Sequence, residues 1–226
     1  MNPLSPTALV FDFDGLILDT EHVVYQAWRR RIEFHGGTIP LEKWALIVGT
    51  ADSHFDPIAE IERLVGHAVD GNAIRAEAHA EIRTALRESE PMPGVEAAIA
   101  RARELGLPLA VASSSDRPWV AGHLERLGLV QHFAAICTRE EVARTKPDPA
   151  LYRLALEKLG VMRGIALEDS ANGIAAARGA GLFSVAVPNR ITRVSDFSHA
   201  DLMLGSLEEL DLDTLLSHSS NSGRTP

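Results

Sequence analysis

From Val95 onward, short apolar runs alternate with segments of helical periodicity, and few folds accommodate that rhythm. Val95, Ala98, Ile99, Ala102 and Leu105 fall three and four residues apart and are stopped by Gly106. "LPLAVASSS" (107–115) follows, an apolar run too short for a helix that opens into a polar loop. A helix is expected around 117–127 and a strand at "FAAICT" (133–138). "KPDPALYRLALEKLG" predicts another helix, with Asp148 as cap, Pro149 at the first helical position and Gly160 at the end. "GIALED" (164–169), "LFSVAVP" (182–188) and "ADLMLG" (200–205) read as three more strands, the first two separated by a small-residue helix. With "ALVF" (8–11) as the first strand, the pattern predicts an α/β fold with a doubly wound, Rossmann-like parallel sheet.

Residues 20–90 depart from this pattern, because connections between strand and helix usually take about 2–6 residues. The stretch reads as several helices, one over Thr20–His35 ended by Gly36-Gly37 and one over Gly71–Ser89. Asp19, Thr20 and Glu21 read as the cap of the first, and Tyr25, Trp28, Phe34 and Trp44 as the insert's own core. The expected organisation is a core of 1–19 and 91–216, an inserted α-helical cap of 20–90 with hinges at 16–20 and 90–94, and a disordered tail of 217–226. The run "SLEELDLDTLL" is expected to be a surface helix.

Composition excludes several classes of partner. The net charge of −9, with no lysine or arginine run, argues against nucleic acid and anionic membrane surfaces. No apolar run spans a bilayer, and "MNPLSPTALV" lacks a signal-peptide pattern. The single cysteine, Cys137, rules out an intramolecular disulfide framework and fits a reducing compartment. A cytoplasmic monomer is the expectation.

In open parallel sheets ligands bind at the carboxyl ends of the strands. Three such ends carry reactive residues here: Asp12 and Asp14 after the first strand, Ser113, Ser114 and Ser115 after the second, and Glu168 and Asp169 after "GIAL". Asp12 and Asp14 flank Phe13 and so face the same side. Buried carboxylates need compensation, and Lys146 plus a hard cation would supply it. Carboxylate oxygens without histidine or cysteine suit Mg²⁺, and the nine histidines, no two closer than nine positions, form no zinc motif. Magnesium, serine hydroxyls and a lysine together describe a phosphate site, in which Asp12 can act as nucleophile and Asp14 as general acid and base. The expected partner is a small phosphorylated metabolite.

These motifs resemble the haloacid dehalogenase superfamily. "FDFDGLILDTE" is similar to its first motif, "VASSS" to the second, "KPDP" to the third and "LEDSANG" to the fourth, in the family's order. The helical insert resembles the small α-helical cap of the subfamily containing phosphoglycolate phosphatase and β-phosphoglucomutase. The resemblance implies Mg²⁺-dependent phosphoryl transfer through phospho-Asp12, with phosphoryl oxygens held by Ser113, with Ser114 beside it, and by Lys146. It implies metal ligation by Asp12, the Asp14 backbone carbonyl and Asp169, with Glu168 as ligand or neighbour. β-Phosphoglucomutases of that subfamily carry a histidine where this chain has Val24 and a cap-loop arginine where it offers Asp52. Both departures favour a phosphatase, with mutase-type phosphoryl transfer as the alternative.

Overall fold

The computed structural model describes residues 7–50 and 55–219. Asp52 lies outside them, as do residues 220–226 of the expected tail; 217–219 instead form the last turn of a helix. Strands β1 (Thr7–Phe11), β2 (Leu109–Ala112), β3 (Ala135–Cys137), β4 (Arg163–Glu168), β5 (Phe183–Ala186) and β6 (Leu202–Met203) form one sheet in the order 3-2-1-4-5-6. Every pairing is parallel. The order reverses between β1 and β4, which opens a crevice at their carboxyl ends.

Side-chain size divides the two faces. Leu9 and Phe11 of β1, Leu109 and Val111 of β2, and Ile165 and Leu167 of β4 pack on one side against α5 (Val95–Glu104) and α6 (Arg117–Arg126). Each such fully buried side chain contributes about 1.5–3 kcal/mol. The alternate residues, among them Ala8, Val10, Ala110, Ala112, Ala135 and Ala166, are small. They let α7 (Ala150–Leu159) and α8 (Ala171–Gly179) lie close on the other face. Helix α7 starts one residue later than its sequence suggests: Pro149 is the N-cap residue, and the Asp148 carboxylate accepts from the Ala150 N–H at 3.0 Å.

Between β1 and α5 come α1 (Thr20–Phe34), α2 (Leu41–Ala45), α3 (Pro57–Val65) and α4 (Gly71–Leu86). Tyr25, Trp28, Ile32, Trp44, Ile58, Ile61 and Ala78 form a separate apolar cluster there. Phe34 does not join it. It sits at the solvent end of α1 and is 85% exposed, because the periodicity that buries Tyr25, Trp28 and Ile32 turns position 34 outward. Ala27, Ile82 and Leu86 of the same helices belong instead to the cluster under the sheet. The two connecting segments touch, with the Met92 N–H donating to the Ile17 carbonyl at 2.8 Å.

The C-terminal acidic run is not a mere surface helix. Leu207, Leu212 and Leu215 are buried in the sheet's large-residue cluster, so α9 (Leu212–Ser219) is amphipathic and docks on α5.

Candidate active site

The β1 backbone delivers Asp12 into the crevice, on the small-residue face that Ala8 and Val10 share. Lys146, from the loop before α7, is wholly buried and its Nζ lies 2.5 Å from Asp12 Oδ1 and 2.5 Å from Glu168 Oε1. Tyr152 of α7 donates its hydroxyl to the same Glu168 oxygen at 2.5 Å. The other Glu168 oxygen accepts from the Ser170 hydroxyl at 3.2 Å. Glu168 is thus clasped by protein donors on both oxygens, and Gly173 opposite leaves the room it needs: a Cβ there would stand 1.9 Å from the carboxylate.

Asp169 is held differently. Asn189 donates to its Oδ2 at 2.7 Å and to the Gly15 carbonyl at 3.0 Å, while Asp169 Oδ1 is buried with no partner. Asp12, Glu168 and Asp169 present oxygens within 4.8 Å of one another. Fully ionised, the three carboxylates would exceed the one ammonium by two negative charges in a buried volume. Burial first, then Glu168, push Asp12 up to about 8, with Lys146 opposing. Burial, then Asp12 and Glu168, hold Asp169 well above the usual carboxylate range. Burial alone would lower Lys146, but Asp12 and Glu168 overcome it and raise the ammonium above its ordinary value. An oxygen-only donor set, a charge deficit of two and an unpartnered oxygen fit a divalent cation.

Asp14 sits outside that cluster, on the wall of a cavity of about 670 Å³ also lined by Asp12, Glu21, Val24 and Ser113. Four donors reach its carboxylate. Thr20 Oγ1 and Trp119 Nε1 each donate to Oδ1 at 2.8 Å, and Ser115 and Ser113 donate to Oδ2 at 2.6 and 3.2 Å. The crevice therefore brings together Asp12, Lys146, Glu168 and Asp169, with Asp14 and Ser113 beside them. Ser114 lines the same cavity, but its hydroxyl is taken by the Gly49 carbonyl at 2.8 Å.

Sequence patterns did not expose Trp119, Tyr152, Asn189 or the true task of Thr20. Asp19 makes no cap bond to α1, and Thr20 turns to Asp14 instead. Asp19 pairs with Arg190 at 2.9 Å. Asn189 follows β5 closely, so the strand-end rule that singled out Asp12 would have reached it.

A family model described as haloacid dehalogenase-like hydrolase matches residues 6–181. YhcW of Bacillus subtilis (strain 168) is 40% identical over 213 residues, covering 93% of this chain and 96% of YhcW. Fructose-1-phosphate phosphatase YqaB of Escherichia coli (strain K12) is 31% identical over 182 residues, covering 79% of this chain and 95% of YqaB. A crystal structure of a CbbY variant from Rhodobacter sphaeroides, in complex with xylulose-(1,5)bisphosphate, is 29% identical with a TM-score of 0.69. That match covers 91% of this chain and 96% of CbbY. Fold, motif order and family model agree, and the chain belongs to the haloacid dehalogenase-like hydrolases.

Proposed function

We propose that this chain is a Mg²⁺-dependent phosphatase that hydrolyses small organic phosphate monoesters, sugar phosphates among them. The observation that carries this reading is the division between two neighbouring aspartates. Asp12 is buried against Lys146 in the acidic cluster, while Asp14 stands apart on the cavity wall with its own set of donors. Asp12 attacks phosphorus, the ester bond to the leaving alcohol breaks, and the proton of Asp14 passes to the departing oxygen. Water then attacks the aspartyl-phosphate, Asp14 takes its proton, and Asp12 is released with inorganic phosphate.

Lys146 holds Asp12 and offers its remaining charge to the phosphoryl oxygens, and Ser113 supplies a hydroxyl to them. Asp12, Asp169 through its unpartnered Oδ1, and the Asp14 backbone carbonyl would hold the cation. When bound, the cation would neutralise phosphoryl charge. Glu168 lies in the same group, and because its oxygens are engaged by Lys146, Tyr152 and Ser170 we assign it to fixing Lys146. The helices over 20–90 act as a cap on hinges at 16–20 and 90–94, closing to exclude bulk water. Val24, in the cavity wall, offers no group for proton transfer, which favours hydrolysis over the mutase reaction. The relatives named above as a sugar-phosphate phosphatase and as a bisphosphate complex support the substrate class. The unpaired, buried Cys137 suits a reducing cytoplasm, and one chain supplies every group named.

The test is inorganic phosphate release from a panel of phosphorylated metabolites, with Mg²⁺ and with EDTA. The panel includes β-glucose 1-phosphate primed with its 1,6-bisphosphate. Magnesium-dependent release from one or more monoesters supports the phosphatase. Glucose 6-phosphate formed with little free phosphate would establish the mutase instead.

A further inference from the structure

We infer that Trp119 is a positioning residue for the general acid, its indole N–H fixing the Asp14 carboxylate at the angle from which it serves the leaving group. The inference rests on the phosphatase reading above and names a residue that reading does not use.

Of the four donors on Asp14, three are hydroxyls, which rotate about their C–O bonds and can accept as well as donate. Ser113 is placed to serve phosphoryl oxygens, and its own oxygen already accepts from the Ser115 N–H at 3.0 Å. The indole is different. An indole N–H donates and never accepts, so its hold on Oδ1 at 2.8 Å survives whichever way a proton moves at the other oxygen.

The ring is also locked from three directions. Trp119 lies in the first turn of α6, where its backbone N–H is capped by Asp116 Oδ1 at 2.9 Å. Its ring meets that of His123 in a T-shaped contact with centroids 4.5 Å apart, and its apolar part packs against the sheet's large-residue cluster. His123 in turn stacks on Phe13, the residue between the two catalytic aspartates, with centroids 6.2 Å apart. Phe13, His123, Trp119 and Asp14 therefore close a loop of contacts. Tryptophan here ties the orientation of Asp14 to the helix and the sheet, whereas the hydroxyls tie it to rotors. A general acid contributes about 10²–10⁴-fold when well placed, and misplacement by an ångström forfeits a large part of that.

The test compares two esters on one preparation of Trp119→Phe, with Mg²⁺ present: fructose 1-phosphate, whose alkoxide must be protonated to leave, and p-nitrophenyl phosphate, whose phenolate departs as a stable anion. Loss of positioning lowers the kcat ratio of the sugar ester to the aryl ester by about tenfold. Because both rates come from the same sample, any loss of folded protein cancels. Trp119→Leu removes the same N–H with a different shape and is expected to shift the ratio in the same direction. In an Asp14→Asn background, where no acid remains to be positioned, Trp119→Phe leaves the ratio where Asp14→Asn has put it. Equal loss on both esters would show a packing role only and overturn the inference while leaving the phosphatase reading intact. Absence of Mg²⁺-dependent phosphate release by the unmodified protein from both esters and from every other monoester of the panel would overturn both.

Discussion

Asp12 is expensive to bury, and its neighbours show how the cost is met. Lys146 touches both Asp12 and Glu168, so removing its charge strands two carboxylates. Lys146→Met should destabilise the fold by about 3–5 kcal/mol, read from denaturant midpoints, and should also abolish phosphate release. Asp12→Asn is expected to behave oppositely. The amide cannot attack phosphorus, so turnover falls on the order of 10³-fold or more, while circular dichroism stays unchanged because a repulsive charge beside Glu168 has gone. Full turnover in that variant would sink the nucleophile assignment.

Glu21 supplies a prediction with a definite sign. Burial, then the charges of Asp14 and Asp12, push it from 4.5 up to about 8. The folded chain therefore binds this proton more tightly than the unfolded chain between those values, and stability falls as pH rises through that window. In EDTA, Glu21→Gln should flatten part of the decline in unfolding free energy measured across it; an unchanged slope would remove Glu21 from the balance.

At the scale of elements, residues 46–49, just after α2, are tied to the sheet domain by their carbonyls. Asn172 at the start of α8 donates to the Leu46 and Val48 carbonyls at 3.2 and 2.8 Å, and Ser114 donates to that of Gly49. Gly49 adopts φ +81, and a Cβ there would meet the Ser170 hydroxyl at 2.2 Å, so only glycine allows this approach. Asn172→Ala should speed amide exchange in residues 46–50 by roughly five- to tenfold, the worth of about one net hydrogen bond or slightly more, with no change in β1 or β4. Exchange at the wild-type rate would show that the Asn172 bonds do not hold the segment, leaving Ser114 and packing to do so. This tie also explains why Ser114, adjacent to Ser113 in sequence, has a different task. The two side chains leave successive positions of the same loop in different directions, and only the nearby carbonyl decides where the second one binds.

For the whole molecule, the proposed cation site predicts a link between cation binding and folding. Adding Mg²⁺ should raise the melting temperature, by about 2.7 kcal/mol of stabilisation at one hundred times Kd, and Asp169→Asn should remove most of that gain because it discards the unpartnered oxygen. A shift of equal size in Asp169→Asn would place the ion elsewhere. The alternation of β-runs with helical periods determined the parallel sheet, since each strand buried on both faces must be apolar along its length and each helical crossover returns the chain to the same end of the sheet. The sequence also marked Asp12, Asp14, Lys146, Glu168 and Asp169, because charged residues closing apolar strands, or next to a helix start, are conspicuous in any α/β chain. It placed Asp148, Phe34 and the C-terminal leucines less well, because these depend on a helix boundary or on which face of a helix meets a neighbour. Trp119 and Tyr152 carried no local signal at all, Asn189 only its place shortly after β5, and Thr20 one that pointed to a helix cap. Each is an ordinary helix or loop residue whose only distinction is the carboxylate it meets, and those carboxylates lie far away in the chain or around a turn. Periodicity and burial cost are properties of a segment and can be read along it; the aim of a hydrogen-bond donor is set by the packing of separate segments, and only the tertiary structure decides it.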